Sequence, residues 1–302
     1  MNLSLRSFLP PLDLGWNHVR AVCAMPTCHN KLLMRAVPGA RAGIYVGEIW
    51  YCSPDCFAME SRQTLASLCT RTVVEMPRNP RLPLGLALLA KNYISEGQLR
   101  FGVALSEHHG VTLETTLLEQ GIVSDKQLAA ARAAQWGCPV LGHEPAAQVV
   151  EADLPPTLLR ACSAVPLHYS AKAKRLVLGF VHRVEHTLLQ SIEQITGCRA
   201  EPCFITPAEF REQLDRLAPV EGYTEIVDAD PGTVPQMGRT LGSCAVEYSA
   251  REARFTRCKS WVWARISGKR GTADILFPLK AAPATTKREF STAIPEVTEA
   301  IG

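Results

Sequence analysis

Four cysteines in the N-terminal part of the chain have the spacing of a metal site. Cys23 and Cys28 are separated by four residues and Cys52 and Cys56 by three, with 23 residues between the two pairs. Two close pairs of thiols at this separation suit a tetrahedral Zn²⁺ held by four thiolates. Four protein ligands leave no open position, so the pattern predicts a structural zinc site rather than a catalytic one. The alternative is four ordinary reduced cysteines.

The residues around the second pair indicate a small finger-like module. The segment 52–56, Cys-Ser-Pro-Asp-Cys, can place its two thiols at a turn that enters a helix, and Trp50 and Tyr51 would pack beside it. The chain has eleven cysteines, an odd number, and its N-terminus does not resemble a signal peptide. A disulfide framework is therefore not expected. Fingers of this size bind nucleic acid or protein, and the spacing does not distinguish the two.

A second segment whose residue types could bind a ligand interleaves basic and aromatic residues. Residues 254–266 alternate as a strand does, residues 267–271 predict a turn, and residues 274–277 predict a return strand. Basic groups among aromatics can pair phosphates and stack bases. The other interpretation, favoured by the small size of the module, is that the tryptophans pack on a helix and the charges are solvated. The predicted face carries Phe255 and the candidate nucleic-acid-binding residues Arg257, Lys259, Trp261, Trp263 and Arg265.

The sequence contains no convincing catalytic set. His108 and His109 have no placed carboxylate or cysteine partner, and His143, His182 and His186 do not fit HExxH spacing. The motifs GxSxG, GxGxxG and GxxxxGK[ST] do not occur. We therefore expect a non-catalytic protein.

The strongest internal pattern is a repeat with a period of 29 residues, in which residues 83–106 superpose on residues 112–135. Each unit predicts a short helix, a turn at Asn92 or Gly121, and a second helix that opens with a capping box. The capping boxes are Ser95 with Gln98 and Ser124 with Gln127, and the second helices are expected to bury Leu99, Val103 and Leu128. The pattern predicts a compact unit of two helical hairpins.

These repeats resemble the MshEN-type N-terminal domain of type II secretion (GspE) and type IV pilus assembly ATPases. The likeness continues through residues 144–217 and covers close to half of the chain. Well-studied members of that family bind cyclic di-GMP through the paired repeats. Because no GxxxxGK[ST] phosphate loop occurs in the sequence, the resemblance implies a regulatory domain and not the ATPase that normally follows it. The resemblance implies candidate nucleotide-binding positions at Leu84, Gly85, Leu88, Leu89, Leu113, Leu117, Leu118 and Gln135.

The sequence departs from the family pattern where ligand binding is concentrated. The leading arginine of each repeat is replaced by Pro83 and Thr112, and the following glycine of the second repeat by Glu114. The closing glutamine of the first repeat is Ser106. Arginine is well suited to bind phosphates and stack on bases, so these changes weaken the case for a dianionic ligand. We therefore expect the repeat unit to act either as a protein-docking module or as a degenerate nucleotide sensor.

The order of these patterns predicts an α+β protein. Its predicted parts are a zinc-finger-like module (1–76), the tandem helical repeat (77–141), a small α/β sandwich with helices on one face of its sheet (142–218), a linker (219–242), a basic β-hairpin unit (243–279) and a disordered tail (280–302).

The net charge of +3 does not imply a polyanionic partner, and no apolar run is long enough to span a membrane. We expect a cytoplasmic regulatory or adaptor protein with no membrane insertion. Its first expected partner is a protein, such as a component of secretion or pilus machinery. The alternative is a zinc-containing regulator that binds nucleic acid.

Overall fold

The computed structural model describes residues 20–28, 31–33, 43–46, 49–71, 82–140, 153–217, 221–228 and 233–279. The expected tail after residue 280 lies outside the described residues, as do the first 19 residues. Among the described helices, none has the length and hydropathy that a membrane span requires.

The described helices and strands fall in four successive regions of the chain. The N-terminal region contains β1 (Arg20–Val22), β2 (Lys31–Leu33), β3 (Ile44–Val46), β4 (Ile49–Tyr51) and α1 (Pro54–Thr70). The repeats form α2 (Leu84–Ala90), α3 (Glu96–His109), α4 (Leu113–Glu119) and α5 (Asp125–Trp136). The third region contains α6 (Pro156–Ala161), β5 (Ala164–Ser170), β6 (Arg175–Phe180), α7 (His186–Thr196), β7 (Arg199–Phe204) and α8 (Pro207–Asp215). The last contains β8 (Tyr223–Val227), α9 (Val234–Glu247), β9 (Ala250–Cys258), β10 (Trp261–Gly268) and β11 (Gly271–Pro278).

A six-stranded sheet joins the two ends of the described chain, in the order β4-β3-β9-β10-β11-β8. Strands β9, β10 and β11 form an antiparallel meander, while β3 runs parallel to β9 and β8 runs parallel to β11. Helices α1 and α9 cover one face of this sheet around a core that includes Phe57, Leu241 and Ile275. We call this unit, made of β1–β4, α1, β8, α9 and β9–β11, the composite domain.

Two expected boundaries are wrong. The described residues of the expected module 1–76 are not separate from the rest of the chain, because β3, β4 and α1 belong to the composite domain. Residues 219–242 are not a linker, because they contain β8 and the first half of α9. The Pro- and Gly-rich composition of that segment serves the helix instead: Pro235 lies in its first turn, and Gly238 and Gly242 let α1 approach closely. A Cβ atom at Gly242 would lie 3.0 Å from the Cβ of Ala58.

A three-stranded sheet, in the order β5-β6-β7, forms the second β layer. Helix α7 lies between the two sheets, and Ile192 and Ile195 pack in one core with Trp263 and Leu276. We expected helices on one face of this sheet only. Helix α8 corrects this, because its Phe210 and Leu214 pack on the opposite face.

The repeats fold as two helical hairpins around their own small core. Both capping boxes form as expected, and Asn92 and Gly121 adopt positive φ angles of 56° and 62°. The expectation that Val103 is buried is wrong, since 38% of this residue is exposed.

Candidate functional site

The four cysteines predicted from their spacing converge in the structure. Their Sγ atoms all lie within 4.8 Å of one another. The Cys28 and Cys52 sulfurs are 3.6 Å apart, and those of Cys52 and Cys56 are 3.7 Å apart. A tetrahedral zinc with Zn–S bonds of about 2.3 Å requires S···S separations of about 3.8 Å, whereas a disulfide bond is about 2.05 Å long. The geometry therefore fits a metal ion and not a disulfide.

Local backbone structure positions each thiol. Cys23 follows β1, and the neighbouring Ala24 amide donates to the Trp50 carbonyl at 3.0 Å, which ties this segment to β4. A turn then brings Cys28 back, because its amide donates to the Met25 carbonyl at 2.9 Å. The Cys52 amide donates to the Cys23 sulfur at 3.4 Å. The cluster is therefore built by backbone hydrogen bonds between two distant segments.

The N-terminus of α1 supplies the remaining contacts. Ser53 caps the helix by accepting a hydrogen bond from the Cys56 amide at 3.2 Å, and Pro54 occupies the first turn. Cys52 and Cys56 thus lie at the positive end of a helix macrodipole, which favours thiolates and through them a bound cation. Trp50 and Tyr51 are buried beside the cluster, as expected.

In the absence of a metal, the electrostatics of the cluster favour protonated thiols at Cys56 and Cys23. The hydrogen bond with Ser53 lowers the pKa of Cys56, but burial and the three neighbouring thiols outweigh it and raise this pKa to about 12. Burial likewise raises the pKa of Cys23. Thiolates this close repel one another unless a cation lies between them. A bound metal would hold the thiolates in the arrangement that the backbone already provides.

The candidate nucleotide-binding residues of the repeats serve mainly as packing. Leu88 and Leu117 are fully buried in the repeat core. Gly85 allows close packing, since a Cβ atom there would lie 2.7 Å from Cδ1 of Leu99. The Gln135 side chain donates to the Leu82 carbonyl at 2.6 Å. The four other leucines, Leu84, Leu89, Leu113 and Leu118, are partly buried against the same core.

Arg132, which the sequence analysis did not single out, explains the unusual Glu114. Only 4% of Arg132 is exposed, and its guanidinium forms an ion pair with Glu114. Its Nη1 also donates to the Val181 carbonyl at 2.6 Å, which connects α5 to the end of β6. The sequence signal was an arginine within the alanine-rich segment 128–134, next to leucine and alanine positions that would otherwise be core.

The expected basic and aromatic face does not form. Residues 254–266 are not one strand: β9 ends at Cys258, and a turn at 259–260 leads into β10. Arg257 lies opposite Val262 across the two strands, so it shares a face with Val262 rather than with Trp263. The single alternating face is therefore split between the two sides of the sheet.

Each of the five candidate residues has a structural partner or is packed in the interior. Trp263 is fully buried, and Trp261 packs against the same core. The Arg257 guanidinium donates to the carbonyls of Leu68 and Cys69 at 3.0 and 3.1 Å, at the C-terminal end of α1. Lys259 pairs with Glu185 at 3.1 Å, and Arg265 pairs with Asp274 at 2.6 Å. A nucleic-acid interface at this location is not supported.

A cleft of about 360 Å³, within the range of small-molecule sites, lies between the two sheets, with Tyr169, Thr196 and Arg254 in its lining. Its Arg254 pairs with Glu252 at 2.8 Å, and its Arg265 is held by Asp274. The cations of the cleft are therefore neutralised by the protein itself, and the cleft offers no clear preference for one class of ligand.

Comparison with known proteins gives a match to a pilus assembly ATPase and weaker structural matches. No family model matches the chain. It is 24% identical over 174 residues to the type IV pilus assembly ATPase PilB of Thermus thermophilus, covering 56% of this chain and 19% of PilB, so it spans a minor part of that relative. A solved structure of MshE with cdg aligns at 21% identity and a TM-score of 0.39, covering 46% of this chain and 100% of that one.

The N-terminal domain of XpsE aligns at 17% identity and a TM-score of 0.33, covering 45% of this chain and 94% of that one. The resemblance expected from the repeats is confirmed to this extent: part of this chain is similar to part of a type IV pilus assembly ATPase.

Proposed function

We propose that this protein is a non-catalytic regulatory or adaptor protein that docks a component of secretion or pilus machinery through its repeat unit. The main support is the similarity to a pilus assembly ATPase, combined with the way the repeats use their residues. Glu114, at a glycine position of the family pattern, pairs with the buried Arg132, and the leucines at the implied ligand positions are packed against the repeat core. Protein docking is therefore favoured over a degenerate cyclic di-GMP site.

The first repeat offers the docking surface. Phe101 on α3 is 51% exposed and Leu86 on α2 is 45% exposed. The positions 29 residues later are Ala130 and Thr115, so the second repeat lacks these large apolar side chains. Exposed aromatic and aliphatic side chains of this kind are typical anchors of protein interfaces.

Binding measurements with surface variants test the docking role. The purified chain would be titrated against each cytoplasmic component of the pilus and secretion machinery of its organism by biolayer interferometry. We expect one component to bind, and Phe101→Glu to weaken that binding at least about tenfold, because it places a charge in the interface core. Val246, on α9, is 61% exposed, and Val246→Glu is the matched control that should bind normally. Equal binding by both variants, or no binding component, would contradict the proposal.

We further propose that Cys23, Cys28, Cys52 and Cys56 hold one structural Zn²⁺. The zinc would offset two of the four thiolate charges and link the segment after β1 to the start of α1. Metal analysis of the purified chain should find one zinc per molecule, and Cys52→Ser should abolish it. An absence of zinc from both proteins, even after refolding with added zinc, would refute this assignment.

A further inference from the structure

The four cysteines of the cluster differ in their access to solvent. Cys23 and Cys56 are buried, whereas Cys28 and Cys52 are half-buried. The two more accessible thiols are also close neighbours, with their sulfurs 3.6 Å apart. The cluster therefore has an inner, buried pair, Cys23 and Cys56, and an outer, partly exposed pair, Cys28 and Cys52.

The other seven cysteines provide an internal contrast. Five of them, Cys162, Cys198, Cys203, Cys244 and Cys258, are buried. Cys69 and Cys138 are half-buried, as the outer pair is, but they do not belong to the cluster. Burial raises the pKa of Cys69, which keeps it protonated and poorly nucleophilic. Thiolates held by a metal are already deprotonated, so among the described cysteines the outer pair combines accessibility, charge and a neighbouring sulfur.

We propose that Cys28 and Cys52 form an oxidation site at which a hydroperoxide converts the two zinc-bound thiolates to a disulfide and releases the metal. This inference rests on the proposed zinc site. One thiolate attacks the peroxide, the O–O bond breaks and a sulfenic acid forms. The second thiolate displaces the sulfenic hydroxyl and forms the S–S bond. Two electrons pass from sulfur to the peroxide, which leaves as one water and one alcohol (two waters from hydrogen peroxide) after taking up two protons from solvent.

Metal release follows from the ligand count. After oxidation only Cys23 and Cys56 remain as thiolates, and two ligands do not hold zinc in a structural site. The sulfurs of Cys28 and Cys52 must approach from 3.6 Å to about 2.05 Å, which requires only a small movement of the half-buried loop that carries Cys28. Reduction by a thiol and re-addition of zinc would restore the original site.

The test is an anaerobic titration of the zinc-loaded full chain with hydrogen peroxide. A chromogenic chelator would report zinc release, and peptide mapping by mass spectrometry would identify the disulfide. We expect one zinc to be released for each Cys28–Cys52 disulfide, with full recovery after reduction and zinc addition. Cys69→Ser and Cys138→Ser are matched controls and should release zinc at the wild-type rate.

A further variant keeps the metal but removes the disulfide partner. Cys28→His supplies an imidazole ligand in place of the thiolate, so this protein should still bind zinc and should release it at least about tenfold more slowly with peroxide. A disulfide between other cysteines, or zinc retention while Cys69 and Cys138 are oxidised, would overturn the inference. A chain that never binds zinc would instead refute the metal assignment on which it rests.

Discussion

The cysteine cluster and the repeat unit use their patterned residues in opposite ways. In the cluster, four side chains from two distant segments end within 4.8 Å of one another, at a point where a metal ion fits. In the repeats, the leucines at the implied ligand positions fill the interior, with Leu88 and Leu117 fully buried. Core packing alone does not explain why four thiols converge on one point, whereas a leucine is the ordinary residue of a helical core. A spacing pattern of cysteines therefore indicates function more strongly than an equally clear pattern of leucines.

The largest effect should come from removing the metal. Structural zinc contributes about 10–16 kcal/mol of apparent binding free energy in small fingers, and here part of this supports a core that already exists. We expect Cys52→Ser, or chelation of the wild type, to lower the melting temperature by at least about 10 °C. Thermal unfolding with and without zinc measures it. Cys69→Ser changes a half-buried cysteine near the C-terminal end of α1, and an equal loss in that control would contradict the prediction.

An intermediate effect should come from the ion pair of the second repeat, between the buried Arg132 and the half-buried Glu114. Glu114→Gln leaves the Arg132 charge buried and poorly compensated, so we expect it to lower the free energy of unfolding by about 3 kcal/mol. The double variant Glu114→Gln/Arg132→Met should recover most of that loss, since an apolar side chain can fill the same space. Urea denaturation gives both values.

The first repeat supplies the control for that measurement. Arg100 and Glu96 form an ion pair at 3.1 Å, but their side chains are 80% and 79% exposed. Breaking this pair with Glu96→Gln should change the free energy of unfolding by less than about 0.5 kcal/mol. Similar losses in both repeats would mean that Arg132 is not distinguished by its burial.

The smallest effect is expected for cyclic di-GMP. The repeat arginines of the family are replaced by Pro83 and Thr112, and Glu114 is committed to Arg132. Isothermal titration calorimetry should therefore detect no heat of binding at high micromolar ligand, while MshE in the same instrument serves as the positive control. A saturable heat of binding would contradict this prediction and show that the repeats, like the cysteine cluster, can hold a ligand.

Local interactions were the most predictable part of the fold. The capping boxes at Ser95 and Ser124 need only four consecutive residues, and the turns at Asn92 and Gly121 need only one. The cysteine cluster was predictable because two short-spaced pairs of cysteines are typical of a four-thiolate metal site.

Long-range pairing was not predictable from local patterns. Strand β3 pairs with β9 through Tyr45 and Glu252, so a segment that resembles an independent finger belongs to a sheet completed near the other end of the chain. Alternation in residues 254–266 continues through the turn at 259–260, which hid the division into two strands. The role of Arg132 depends on a contact with Val181 that no local pattern announces.

The pairing of β3 with β9 also sets an order of events during synthesis. The ribosome releases the four cysteines long before it makes strands β9–β11, because the repeat unit and the α/β layers lie between the cysteines and these strands in the chain. Helical hairpins with local contacts form early, and sheet pairing between distant segments forms late. The nascent N-terminal segment therefore emerges before the strand that its β3 pairs with. Early binding of the proposed metal would protect its four thiols until β9 is synthesised.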